Sequence, residues 1–148
     1  MLRTLATAPV ELSAKKADSP VRVESSSPLL KANLLLRLIL ELGMFAGFAV
    51  GPALTIDGGA RWPFTVVGPI AAMAIWGVFA TPDDPSRSGK TVIATRGSAR
   101  LVIELGLFVG AAALLAWAGL WPLSAALLIG TTIHYALWPE RIRWLTSH

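Results

Sequence analysis

Two stretches of the chain place an Arg and a Glu four residues apart inside long apolar runs. They are RLILELGMF, with Arg37 and Glu41, and RLVIELGLF, with Arg100 and Glu104. Residues four apart share one face of a helix, so each Arg can pair with its Glu. Charged groups in apolar surroundings are costly, and they persist where they pair, line a polar site or carry protons. His134 adds a titratable ring in a third apolar run. Arg37, Glu41, Arg100, Glu104 and His134 are therefore the candidate polar network.

Pairing within one helix leaves capacity unused, because an Arg has five N–H donors and a carboxylate about four acceptor positions. Cross-pairing between the two segments, a quadrupole of Arg37, Glu41, Arg100 and Glu104, is the expected arrangement. Two readings stay open. In one, the network is a clasp that fixes helix register. In the other it is a site: an anion pocket, a proton relay through Glu41, Glu104 and His134, or a patch that docks a partner.

Other chemistry is thinly represented. The chain has no Cys, which excludes disulfides, thiolate metal sites and Cys nucleophiles. His134 stands alone and His148 is terminal, so no metal set and no cofactor are expected. Asp83 and Asp84 lie between Pro82 and Pro85 and read as a turn. No catalytic constellation emerges, and a non-enzymatic protein is expected.

The elements that hold these residues follow from composition. Of 148 residues, 54% are hydrophobic and 15% charged, and the mean hydropathy is +0.61. Soluble domains carry about 25% charged residues. The balance is that of a membrane protein, and the net charge of +4 reads as topology rather than nucleic-acid binding. Apolar segments at about 33–55, 62–80, 100–118 and 121–138 are each near the ~20 residues that a membrane-spanning helix needs. The expected fold is all-α, with four transmembrane helices, preceded by a disordered cytoplasmic tail over residues 1–32. That tail is polar, with a Ser25–Ser27 run and no apolar core long enough for a signal peptide.

Depth decides what the charges cost. The first segment has eleven large apolar residues between Leu34 and Val50, favouring insertion by roughly 3 to 6 kcal/mol. One charge at the bilayer centre costs roughly 2.5 to 3.5 kcal/mol. Arg37 lies about one turn inside the segment and can snorkel, whereas Glu41 is a turn deeper. Lys and Arg collect in the tail, in the central loop and after the last segment, with only Arg61 on the other side. The positive-inside rule places both termini in the cytoplasm.

The internal match extends beyond the charges. Arg37 falls on Arg100, Glu41 on Glu104, Gly43 on Gly106 and Gly47 on Gly110, and Trp62-Pro63 on Trp121-Pro122. Each repeat is one helical hairpin. Two spans return the chain to its starting side, so the two tandem hairpins are parallel. Gly43, Gly47 and Gly51, with Gly106 and Gly110, form small-residue ridges suited to close helix packing. Packing within the chain is favoured over an oligomer for these ridges. Pro69, inside the second segment, predicts a kink or local opening.

With LRLILELGMF, PIAAMAIWGVFATP (69–82), RLVIELGLF and HYALWPERIRWL (134–145) in place, the chain resembles a small bacterial family of four-span membrane proteins. This is the YrdB-like domain of unknown function. The resemblance covers about residues 33–146. It implies an integral membrane protein and supplies no activity or substrate. The polar tail departs from that family's compact form and leaves the natural start open.

The functional expectation is a membrane protein embedded in the lipid bilayer that binds a membrane-protein partner or assembles as a homo-oligomer. The alternative is a small transporter or proton-coupled permease that uses the two intramembrane Glu residues.

Overall fold

The computed structural model describes residues 28–84 and 91–148. They form five α-helices: α1 (Pro28–Thr55), α2 (Arg61–Val78), α3 (Gly97–Trp117), α4 (Trp121–Ala136) and α5 (Pro139–Ser147). A short 3-10 turn, Gly58–Ala60, leads into α2. A two-residue strand β1 (Phe79–Ala80) pairs in parallel with β2 (Ile93–Ala94) and ties the end of α2 to the approach of α3. The fold is all-helical apart from that pair.

Several boundaries differ from the sequence reading. α1 is already helical at Pro28, where the described residues begin, because Leu29 and Leu30 prolong the apolar run. Residues 28–32 are thus helical, and the disorder expected for residues 1–27 lies outside the described residues. The second segment is helical only to Val78, since Phe79 and Ala80 turn extended to meet β2. The fourth stops at Ala136, and the chain re-forms as a separate helix after Trp138, with Pro139 at its start. Pro69 does not interrupt α2, which runs through it as one helix.

Helix lengths separate the four segments. α1 and α3 are long and apolar enough to cross a membrane. α2 has 18 residues and α4 has 16, or about 27 and 24 Å at 1.5 Å per residue, short of a ~30 Å hydrocarbon layer.

Glycines set how the helices meet. A Cβ on Gly47 would lie 3.1 Å from the Ala111 Cβ, and one on Gly51 would lie 2.7 Å from the Leu114 Cβ. These contacts advance together along both chains, so α1 and α3 run parallel at close range. Gly43 faces Leu127 while Gly130 faces Leu40, so α4 runs antiparallel to α1. Gly110 lies under the Phe48 ring, whereas Gly106 has nothing within 4 Å among the described residues. The ridge on α1 therefore packs within the chain, and its counterpart on α3 does so at Gly110 only.

The tight link from α3 to α4 is a Schellman turn. Gly119 takes φ +76°, and Leu120 N–H donates to Leu115 O while Gly119 N–H donates to Ala116 O. A side chain at that left-handed position would be strained.

Leu40, Met44, Phe108, Ala111, Ala112, Leu115 and Leu127 form the core where α1, α3 and α4 meet. The outer faces are apolar as well. Leu35, Leu38 and Leu42 are exposed on α1, Phe64, Val67 and Ile70 on α2, Val102 and Val109 on α3, and Leu123, Ile129 and Ile133 on α4.

Two glycines of α3 give opposite expectations. A Cβ on Gly97 would collide with the Leu145 carbonyl, which is backbone and cannot turn aside. Gly97→Ala should lift α5 off α3 and lower stability by about 1–3 kcal/mol. Gly106→Ala should be neutral or stabilising by up to ~1 kcal/mol, because the space is open and Ala favours helix. Thermal melts of the two variants in one detergent check the contrast.

Candidate functional site

The first turns of α3 present Gly97, Arg100 and Glu104 on one face, at helical spacings of three and four. All three are buried. Arg100 Nε donates to Glu104 Oε1 at 3.0 Å. The expected partners across the helix interface, Arg37 and Glu41, do not complete this pair. α4 and α5 do so instead.

α5 is amphipathic, with Arg141 and Leu145 buried and Glu140 and Arg143 exposed. Arg141 reaches Glu104 with both ends of its fork: Nη1 to Oε2 at 2.8 Å and Nη2 to Oε1 at 2.8 Å. Tyr135 of α4 donates its hydroxyl to Glu104 Oε2 at 2.6 Å. The carboxylate thus accepts four hydrogen bonds from three helices. That fills its acceptor capacity. Burial opposes the charged form of Arg141, but the Glu104 hydrogen bonds and charge outweigh it and hold the guanidinium above its ordinary pKa.

Arg100 also closes the end of α2. Its Nη1 donates to Trp76 O at 2.9 Å and to Phe79 O at 2.6 Å. The last carbonyls of a helix lack intrahelical donors and carry partial negative charge, so a cation there is favoured twice. The same guanidinium lies 4.6 Å from the Trp76 ring centroid. Asp84, buried beyond the turn in which Asp83 takes φ +59°, meets Arg141 Nη2 at 3.5 Å.

Arg37 and Glu41 form their own pair at 2.8 Å. Their side chains are 12% and 20% exposed, against 0% and 1% for Arg100 and Glu104. Arg37 Nη1 is buried without a hydrogen-bond partner among the described residues. Trp76 lies between the two pairs, its ring centroid 5.8 Å from the Arg37 guanidinium carbon and 4.6 Å from that of Arg100. His134 lies beside the network rather than in it: its Nδ1 is 2.9 Å from Asn33 Oδ1, and its ring meets that of Tyr135 edge-on at 5.2 Å.

The expected quadrupole is therefore replaced by two unequal pairs. The reason is competition: Arg141 and Tyr135 take the Glu104 positions, and the α2 carbonyls engage Arg100. Arg141, Tyr135, Asp84, Asn33 and Trp76 were missed from sequence. Arg141 looked like a topology charge, although its spacing to Leu145 on an amphipathic helix marked it as inward-facing. No group of three or more metal-ligating side chains occurs among the described residues.

Residues 35–132 match a family described as "Protein of unknown function (DUF2568)". This stretch includes both Arg–Glu pairs. The chain is also 45% identical over 117 residues to a protein of Bacillus subtilis (strain 168), "Uncharacterized protein YrdB". The alignment covers 79% of this chain and 95% of that relative. No solved structure matches the chain.

The two Glu residues should respond differently to the same change. Glu104→Gln leaves two buried guanidiniums without their carboxylate and should lower stability by about 3–5 kcal/mol. Arg141→Met should fall in the same range, because it strips two of the four Glu104 bonds. Glu41→Gln should lower stability less than Glu104→Gln, because the Glu41 carboxylate accepts one hydrogen bond rather than four. Denaturant melts in mixed micelles measure all three, and similar losses at the two Glu positions would contradict the assignment.

Proposed function

The chain belongs to the DUF2568 family of proteins of unknown function, and from that premise we propose that it is a four-span integral membrane protein that binds a partner or assembles with itself. In this reading it is a four-helix bundle of two tandem parallel hairpins, set in the bacterial inner membrane with both termini in the cytoplasm. It carries out no chemistry of its own.

The observation that carries this reading is the saturation of Glu104. A carboxylate that accepts four hydrogen bonds, two of them from one guanidinium fork, is held charged and closed. Such a group acts as a clasp. A permease that relays protons through both Glu residues would need it open, so the transport alternative loses half its motive.

The surface supports the membrane setting. Exposed apolar side chains on α1, α2, α3 and α4 face outward on every helix of the expected spans. A soluble monomer rarely shows so much contiguous apolar surface. α2 and α4 are short for a bilayer, but Trp62, Trp117 and Trp121 are all exposed at the end where α1 and α3 finish. Aromatic rings there suit the headgroup level, which lets a shorter helix reach across. The opposite end contains the polar clasp and the basic residues, including Arg96 and Arg143.

The surface also offers room for a partner. α1 and α4 border an apolar cavity of about 380 Å³, lined by Gly43, Ala46, Gly47, Leu123, Ala126 and Leu127 among others. Small residues interspersed with larger ones along this lining let an apolar chain or helix approach.

The absence of Cys makes two tests direct. With Asp57→Cys, a membrane-impermeant maleimide should label the protein on intact spheroplasts. With Ser147→Cys, it should label only after permeabilisation. Labelling of both sites from outside would overturn the four-span topology. Native mass spectrometry and in-membrane crosslinking should show an oligomer or a stoichiometric partner. A strict monomer with no partner recovered would count against the binding role.

A further inference from the structure

The glycine contacts explain why a cavity opens between α1 and α4. The two helices meet closely where a Cβ on Gly130 would lie 2.8 Å from the Leu40 Cδ2. One turn further along α1 the contact is looser, and a Cβ on Gly43 would lie 3.7 Å from the Leu127 Cδ1. Beyond that level Gly47 and Gly51 draw α1 onto Ala111 and Leu114 of α3. α1 therefore parts from α4, and Leu115 of α3 lines the gap behind them. Ser124 of α4 donates its hydroxyl to Ala112 O of α3 at 2.8 Å and adds no polar group to the lining. Among the described residues that lining is apolar throughout.

Dimensions select the occupant. On α1 the lining runs from Ile39 to Val50, or ~16 Å at 1.5 Å per residue. A volume of about 380 Å³ over that length gives a channel ~5 Å across, about half the ~10–12 Å diameter of a helix with its side chains. A hydrocarbon chain is about one carbon–carbon contact thick, ~4 Å, and fits. An extended chain advances ~1.2 Å per bond, so ~13 bonds fill the channel. One leaflet of a ~30 Å hydrocarbon layer is ~15 Å deep, which is the same length. The outer mouth, at Val50 and Leu123, lies just inside Trp121. That ring is exposed, at the headgroup level. Water does not fill an apolar void, and an empty one forfeits the dispersion contacts of its walls.

We propose that this cavity is a binding site for one acyl chain of an outer-leaflet phospholipid, extended along α1 with its terminal methyl toward Ile39. The proposal rests on the membrane setting argued above and requires no protein partner. Contact with three helices separates this chain from lipid that coats the outer faces. Within a bilayer the gain is van der Waals packing, as it is between helices. The chain acts as a stave that completes the contact between α1 and α4 where the glycines leave it open.

Photolabelling in lipid vesicles tests this. Two phospholipids carry a diazirine in one acyl chain, either near the ester or near the terminal methyl, and peptide mass spectrometry locates the label. The ester-proximal probe should mark Val50 and Leu123, and the terminal probe should mark Ile39 and Gly43. Both should label the cavity at least about fivefold more than the exposed Phe64–Ile70 stretch of α2. Ala46→Leu combined with Ala126→Leu fills the cavity from two exposed positions. It should remove that excess and leave α2 labelling unchanged. If the double variant fails to fold, the comparison of cavity with α2 in the unaltered chain decides alone. A free fatty acid with the same diazirine should label the cavity less than the phospholipid, and the reverse order overturns the assignment to phospholipid. Equal labelling of the cavity and α2 overturns the proposal and leaves the membrane setting standing. A disulfide formed between two copies of Ala46→Cys also overturns it, because a second copy would then cover the cavity. Labelling of neither the cavity nor α2 overturns both.

Discussion

The Glu104 carboxylate is fully buried, and that burial organises one end of the molecule. Removing a carboxylate from water costs several kcal/mol even after relaxation, and only well-placed donors offset it. Here the donors come from different parts of the chain. Arg100 is one turn earlier on α3, Tyr135 is near the end of α4, and Arg141 is on α5. Arg100 extends the arrangement to α2 by binding its terminal carbonyls. The ends of four helices thus depend on one anion. If any of them slid by a turn, about 5.4 Å, a hydrogen bond would be lost and a buried charge would be left behind. Register at this end is thereby fixed electrostatically, and the apolar core sets it elsewhere.

Among the described residues, Arg37, Arg100 and Arg141 face Glu41, Glu104 and Asp84, and pairing of opposite charges lowers the cost of holding them among apolar helices. The close contact of α1 with α3 at Gly47 and Gly51 complements this. Because the two helices run parallel there, Arg37 and Arg100 come to one level. Both can then lie against the Trp76 ring, at 5.8 and 4.6 Å. Cation–π contact to one indole joins the pairs that hydrogen bonds leave separate.

What could be read from the sequence was local. Spacing of four placed each Arg beside its Glu, and the hydrogen bonds of 2.8 and 3.0 Å follow that rule. Apolar runs located the helices to within a few residues. The glycine ridge on α1 indicated a close contact, and Gly47 and Gly51 make it within the chain. The long-range partners were not legible. Tyr135 lies 31 residues from Glu104 and Arg141 lies 37 away, and no periodicity links them to it. Asp84 was hidden in a Pro-bracketed turn, and its burial depends on where α5 docks. A basic residue after a final apolar run fits the positive-inside rule so well that its second role, as a ligand of a buried acid, left no separate trace. The family match could not supply it either, since the matched stretch ends at residue 132.

The two matching segments finally show why identical local chemistry can end in different states. The residues RLxxELGxF specify the pair, the helix face and the small residue that follows, and they specify these twice. They do not specify what approaches from outside the helix. At Glu104, the chain after α4 turns back as α5 and brings a guanidinium whose fork matches the carboxylate edge. At Glu41, the chain after α2 instead pairs β1 with β2 and continues to α3, and among the described residues no second guanidinium is hydrogen-bonded to that carboxylate. The difference between a closed clasp and an open acid thus lies in the connection that follows each hairpin. The Glu104 acid is closed on every side by donors, whereas the Glu41 acid keeps one hydrogen bond, from Arg37, beside a face with exposed Leu34, Leu38 and Leu42.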